Sequence, residues 1–262
     1  MSQIKIVSGF THGGGSTHAY MNLCDLFNEN GYDCTFYGRH PWHLDKCSKG
    51  ALIQNLEPEM DDTFLVHYFR IDDIIPMCKK MVLSVHEKNM FPIKDVEYSH
   101  YNFIHYINDD QRKWQAIDHP YHIIPNVYDD LKEEEKTGSA AGIIGTIDRN
   151  KNTHVSIRRA LDKGYNSVLL YGEVTDKDYY EDKVKPLLND KVIQMGHCGD
   201  KQEMYNSVES VFLSSDSEVA PLVKGECKLT GTNFYGNKNT EGSAFPVDRK
   251  EILDMWVKAL EL

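Results

Sequence analysis

The sequence has no tract near the roughly 20 consecutive apolar residues needed to cross a bilayer, so no transmembrane helix is expected. Its start, Met1-Ser2-Gln3 followed at once by Ile4-Lys5-Ile6-Val7, lacks the charged region and long apolar run of a secretory signal, and a cytoplasmic location is the expectation. Cysteine is sparse. The six residues (Cys24, Cys34, Cys47, Cys78, Cys198 and Cys227) include no CxxC pair and read as reduced, mostly buried thiols. His40, His43 and Cys47 are spaced loosely like metal ligands, but a fourth ligand with matching spacing is missing and no metal is expected. Basic residues do not dominate: 29 Lys+Arg against 40 Asp+Glu give a net charge of −11, the reverse of a phosphate-backbone binder. Neither GxGxxG nor GxxxxGK[ST] occurs, which leaves dinucleotide and P-loop sites unsupported. There is no short-period repeat and no low-complexity tract.

What is present is an ordinary globular composition, 40% hydrophobic and 26% charged over 262 residues, enough for one domain or two at roughly 100–200 residues each. Short apolar runs alternate with amphipathic stretches of helical length. Ile4–Ser8 reads as a buried strand broken by Gly13-Gly14-Gly15. From Thr17 to about Asn30, Tyr20, Leu23, Cys24 and Phe27 share one helical face, with Gly31 just past the end. Cys34–Tyr37, Thr63–Phe69, Met81–Val85 and Tyr101–Ile107 read as further strands. Asp129–Ser139 is charged and ends in small residues, a boundary signal. The rhythm then resumes: strands at Ala141–Ile144, Ser167–Tyr171, Val192–Met195, Ser210–Leu213 and Thr232–Tyr235, helices at Thr153–Lys163, Lys177–Leu188, Lys201–Ser207, Pro221–Leu229 and Arg249–Leu260. The expectation is an α/β protein of two Rossmann-like domains facing a central cleft, residues 1–128 and 141–262 joined by a linker over 129–140.

The chemistry concentrates in Ser214-Ser215-Asp216-Ser217-Glu218-Val219-Ala220-Pro221-Leu222-Val223-Lys224-Gly225-Glu226. A buried strand ends in small polar residues, a carboxylate follows, and after a tight turn a helix carries a second carboxylate. The first backbone N–H groups of such a helix lack partners and attract phosphate. One short segment thus offers a carboxylate for a sugar hydroxyl, N–H groups for a diphosphate and a carboxylate for a ribose. The plainer alternative is a solvated loop glutamate followed by an exposed helix glutamate.

Glu218 and Glu226 with seven residues between them, followed by Gly231 and a strand, resemble the EX7E signature of family-four retaining glycosyltransferases of the GT-B fold. The resemblance implies that Glu218 contacts the donor sugar, that Glu226 binds the ribose, and that backbone at Leu222 and Val223 holds the diphosphate. Gly14 and Gly15 look like the family's N-terminal glycine loop, where only glycine lets backbone approach a ligand closely. His86, at a strand end in Leu83-Ser84-Val85-His86-Glu87, matches the histidine near the donor sugar, and Gly196 joins the donor-binding set. His122-Ile123-Ile124-Pro125-Asn126-Val127 is similar to the turn that closes the first domain. Ala141-Gly142-Ile143-Ile144-Gly145 followed by Lys151 is similar to the segment that opens the second. There the family pairs an Arg with the Lys to neutralise the leaving diphosphate. Thr146 stands in that Arg's place here, and Arg149 is the substitute candidate. Two further departures are Thr232-Asn233-Phe234, in place of Gly-x-Pro-apolar, and a long C-terminal return helix that is absent or abbreviated.

The resemblance implies transfer of a sugar, with retention, from a nucleotide diphosphate sugar, foremost a UDP-sugar, to a hydroxyl on a saccharide or other acceptor. The enzyme contributes positioning, charge neutralisation and closure. No metal and no other cofactor is implied, in keeping with the absence of an isolated DxD motif at a strand end. The acceptor side is assigned to His12, Arg39 and Trp42. Two other readings stay open. The small size suggests a viral enzyme acting in a host cytoplasm. Some phage enzymes of this general fold glycosylate hydroxymethylated cytosine in DNA, which requires a flipped base and a basic cleft. The other is a non-catalytic nucleotide-sugar-binding module.

Overall fold

A computed structural model describes residues 3–9, 14–41, 44–67, 78–86, 98–240 and 248–262 of the chain. Two compact units are present, one made of Met1–Tyr128 with Phe245–Leu262, the other of Asp129–Ala244.

In the first unit the elements run β1 (Ile4–Ser8), α1 (Gly15–Glu29), β2 (Cys34–Gly38), β3 (Gly50–Leu52), β4 (Thr63–His67), β5 (Lys80–Val85), β6 (Phe103–Tyr106), α2 (Asp109–Gln115) and β7 (Tyr121–Ile123). They form a seven-stranded sheet in the order β3-β2-β1-β4-β5-β6-β7. Every pairing is parallel, with Ser8 opposite both Gly38 and His67. All five β1 residues and all five β4 residues are buried, as strands covered on both faces require. The strand order reverses beside β1, and ligands of such sheets bind at the carboxyl ends of the strands around that point. The face of α1 that carries Tyr20, Leu23, Cys24 and Phe27 packs into a core with Ile4, Ile6, Phe36 and Leu65.

The second unit contains β8 (Ala140–Ile144), α3 (Thr153–Asp162), β9 (Val168–Tyr171), α4 (Lys177–Tyr179), β10 (Val192–Gly196), α5 (Lys201–Asn206), β11 (Val208–Phe212), α6 (Leu222–Leu229) and β12 (Asn233–Tyr235). Its sheet is parallel in the order β10-β9-β8-β11-β12. The helix expected over Lys177–Leu188 is not continuous. After α4 the chain loosens into a π turn at Tyr180–Val184 and tightens into a 3-10 turn at Lys185–Leu187. Pro186 explains the break, because its ring lacks an N–H and clashes with the carbonyl four residues before it.

The last helix, α7 (Arg249–Leu260), belongs to the first unit, which corrects the expectation that the second half runs unbroken to residue 262. Ile252, Leu253, Trp256 and Leu260 enter the same core as Phe27 and Ile124. The Trp256 ring lies edge-on to Phe27, with centroids 6.5 Å apart. Arg249 donates to the Tyr128 carbonyl and to Glu29, each at 2.8 Å. A return helix is therefore present, at twelve residues. The charged stretch over 129–140 is laid on the second unit. Leu131 is buried beside Tyr205 and Cys227, and Lys136 Nζ donates to the Tyr205 and Thr230 carbonyls and to Thr232 Oγ1. Among the described residues no helix is long and apolar enough to cross a membrane.

Candidate functional site

In the second unit the carboxyl ends of β8 and β11 carry the residues of interest. Past β11, Leu213, Ser214 and Ser215 remain buried. The following loop is fastened to the segment between β8 and α3 by two asparagines. Asn150 accepts from the Ser217 N–H at 3.2 Å and its carbonyl accepts from the Asp216 N–H at 2.8 Å. Asn152 Nδ2 donates to Asp216 Oδ1 at 2.6 Å. Between them Lys151 Nζ forms a partly buried ion pair with Glu218 Oε1. The Lys151 N–H is itself held by Asp148 Oδ1 at 2.9 Å. Lys151 and Glu218, 67 residues apart in sequence, are thus brought together. Arg149 is not part of this pair: its exposed side chain donates to Asp176 at 2.8 Å.

Leu222 and Val223 are the first two residues of α6, whose N-cap is Pro221 with no side-chain hydrogen bond. Their N–H groups are among those that an uncapped helix leaves without a partner. Glu226 differs from the exposed helix glutamate of the plainer alternative, at 2% exposure. Oε2 accepts from Tyr205 OH at 2.6 Å and Oε1 from Lys201 Nζ at 2.7 Å, and Lys201 is also paired with Asp129. Burial works against the Lys201 charge, but Glu226 and Asp129 outweigh it and hold its pKa above the usual lysine range. Burial, then Glu226, pushes the Tyr205 hydroxyl well up. A carboxylate offers about four lone-pair sites, of which Tyr205 and Lys201 already occupy two at Glu226.

Three glycines with positive φ, Gly145, Gly172 and Gly196, close β8, β9 and β10. The Gly145 N–H bonds to the Tyr171 carbonyl at 2.9 Å and the Gly172 N–H to the Gly196 carbonyl at 2.8 Å. A Cβ on Gly172 would stand 1.9 Å from the Gly145 carbonyl oxygen, while one on Gly196 would meet nothing within 4 Å. The strand ends are therefore packed backbone to backbone, with open space over Gly196.

In the first unit Gly14 is the N-cap of α1, without side-chain capping, and Gly15 is its exposed first residue. His86 follows β5 at 9% exposure. Its ring lies 4.4 Å from Tyr20, 5.4 Å from His67 and 5.9 Å from His105, centroid to centroid. Among the described residues, Nε2 of His86 is buried without a hydrogen-bond partner. Ser8 Oγ meets His67 Nδ1 at 3.1 Å and Ser84 Oγ meets His105 Nδ1 at 2.5 Å, while His105 Nε2 lies 2.8 Å from the Ile124 carbonyl. Burial, then His67 and His105, lowers the His86 pKa well below 6.5. Burial lowers that of His105 to about 4, against an opposing bond to Ile124. His67 and His105 belong to no sequence motif; their signal is a histidine in an otherwise apolar strand. Arg39 is exposed at the bend after β2. His12 and Trp42 lie outside the described residues, as does His43.

No protein-family model matches the chain, and no curated protein sequence matches it. Solved structures do. HepE of Anabaena, in complex with UDP-glucose, superposes with a TM-score of 0.71 at 11% identity, over 100% of this chain and 90% of that one. WaaG, a glycosyltransferase involved in lipopolysaccharide biosynthesis, gives 0.61 at 13% identity, over 99% and 90%. AviGT4, a glycosyltransferase involved in avilamycin A biosynthesis, gives 0.60 at 14%, over 97% and 88%. Likeness at these identities concerns the fold, which is GT-B, with two Rossmann-like α/β units.

Proposed function

We propose that the chain is a retaining glycosyltransferase that uses a nucleotide diphosphate sugar, a UDP-sugar foremost, and transfers the sugar to a hydroxyl of a saccharide or other acceptor. One observation carries this: the Lys151–Glu218 pair at the carboxyl end of the second sheet, in the loop that leads to the uncapped start of α6. The UDP-glucose complex of the similarly folded HepE supports the choice of donor. In this proposal the N–H groups at Leu222 and Val223 and the Lys151 ammonium take the diphosphate, which becomes a second anionic partner for Lys151. Glu218 accepts hydroxyls of the donor sugar, Glu226 meets the ribose, and the open space over Gly196 accommodates the nucleoside. His86, Gly14 and Gly15 enter through the resemblance.

The bond from the anomeric carbon to the phosphate oxygen breaks, the acceptor oxygen bonds to that carbon, and the acceptor proton passes to the departing phosphate. Charge neutralisation by fixed donors at the leaving group lowers the barrier. No step in this scheme requires a metal. Arg149 reaches the phosphate only by leaving Asp176, so Lys151 carries most of the clamp.

The test is turnover of a UDP-sugar panel, followed as UDP release. Release that falls by about 10²-fold or more in Glu218→Gln, with UDP binding kept, supports the proposal. Binding without turnover under every acceptor condition favours a non-catalytic module, and neither binding nor turnover rejects a UDP-sugar donor.

A further inference from the structure

We propose that Cys24, Asp25 and Cys47 form a three-ligand site for a thiophilic divalent cation of the zinc class within the first unit. Helix α1 supplies Cys24 and Asp25, and the tight turn Leu44–Lys46 delivers Cys47 to them. One donor atom from each residue lies within 4.8 Å of the other two. Cys47 Sγ is 3.7 Å from Asp25 Oδ1. Zinc bonds of about 2.3 Å to sulfur and about 2.0–2.2 Å to oxygen place neighbouring donors of a tetrahedral centre roughly 3.5–3.8 Å apart. The Cys47–Asp25 edge already has that length.

Surrounding groups orient these ligands. The Ser48 N–H donates to Asp25 Oδ1 at 2.7 Å, and Asn28 Nδ2 lies 3.5 Å from Cys24 Sγ. Such contacts fix a metal ligand's direction. An open depression of about 580 Å³, lined in part by Asp25, Glu29, Asp45, Lys46 and Cys47, leads to the site. Asp25 and Asp45 favour a cation there against the opposing charge of Lys46, Glu29 being already paired with Arg249, and the fourth coordination position is left to solvent. Buried thiols alone pack as small apolar groups. Here a half-buried carboxylate, Asp25, stands beside them at the opening and keeps its second oxygen for a further partner.

On binding, the Cys24 and Cys47 S–H bonds break, both protons pass to water, and two metal–sulfur bonds form with one bond to Asp25. Apparent affinity therefore falls as pH falls. The bound ion ties α1 to the segment between β2 and β3.

Cobalt(II) titration of the chelator-treated chain tests this. The expected result is one equivalent bound, with a thiolate-to-cobalt charge-transfer band and intense tetrahedral visible bands, displaced by zinc, and a raised melting temperature with zinc. Cys47→Ser abolishes the band at unchanged circular dichroism. Asp25→Asn weakens binding at least about tenfold, and Cys227→Ser, in the second unit, binds as the parent does. No charge-transfer band, or a band that persists in Cys47→Ser, overturns the proposal. A Cys24–Cys47 disulfide in freshly purified chain overturns it as well. Cys47 and Asp25 border the opening, so their variants keep the test decisive where Cys24→Ser, deep in the core, fails to fold.

Discussion

Glu218 and Glu226 share one segment and are held in opposite ways. Glu218 meets a single lysine at a partly exposed loop, while Glu226 is buried with both oxygens accepting from Tyr205 and Lys201. Glu226→Ala strands two donors and is expected to cost about 2–3 kcal/mol, read as a lower urea midpoint. Glu218→Gln is expected to stay within about 1 kcal/mol of the parent, so its loss of turnover is a chemical effect. His105 gives a pH dependence. Above its ordinary pKa of 6.5 the folded and unfolded chains both hold it neutral, and stability does not depend on it. Between 6.5 and a folded value of about 4 only the unfolded chain takes the proton. Stability falls across that window, by roughly 3 kcal/mol in full. Denaturation at about pH 7 and about pH 4.5 measures the drop, and His105→Gln is expected to shrink it. The glutamate pair was legible in the sequence because both residues and the helix start lie within one short run. His67, Lys201 and Tyr205 were not, because their partners come from distant strands and helices.

Elements with a strong period were legible, and those defined by tertiary contact were not. The α1 face and the buried strands follow from spacing alone. The edge strands β3 and β7, three residues each, are too short to show a period. The break after α4 was written in Pro186, and the apolar spacing across it hid the break. Helix α7 was visible as an amphipathic helix, but its pattern names a buried face and not the unit that covers it. Trp256→Ala is expected to destabilise the first unit by about 3–5 kcal/mol, with the second unit's unfolding unchanged, followed by calorimetry. In the second unit, Gly172→Ala drives a Cβ into the Gly145 carbonyl and is expected to cost about 3 kcal/mol or more. Gly196→Ala, in open space at φ 75°, is expected to cost only about 1–2 kcal/mol. Urea midpoints of the two variants compare these costs.

For the whole molecule, alternating strands and helices announced two parallel-sheet units, and the chain has that architecture. The fold leaves function to the loops at the strand ends. In the proposed function the loop ending β11, with Lys151 against Glu218, receives a nucleotide diphosphate. Calorimetric titration of UDP and of uridine into the parent and into Lys151→Met tests it most directly. The parent is expected to bind UDP well above uridine, Lys151→Met to lose about 10- to 100-fold in UDP affinity, and uridine binding to stay unchanged. Equal UDP affinity in parent and variant, or no binding of UDP by the parent, would contradict it.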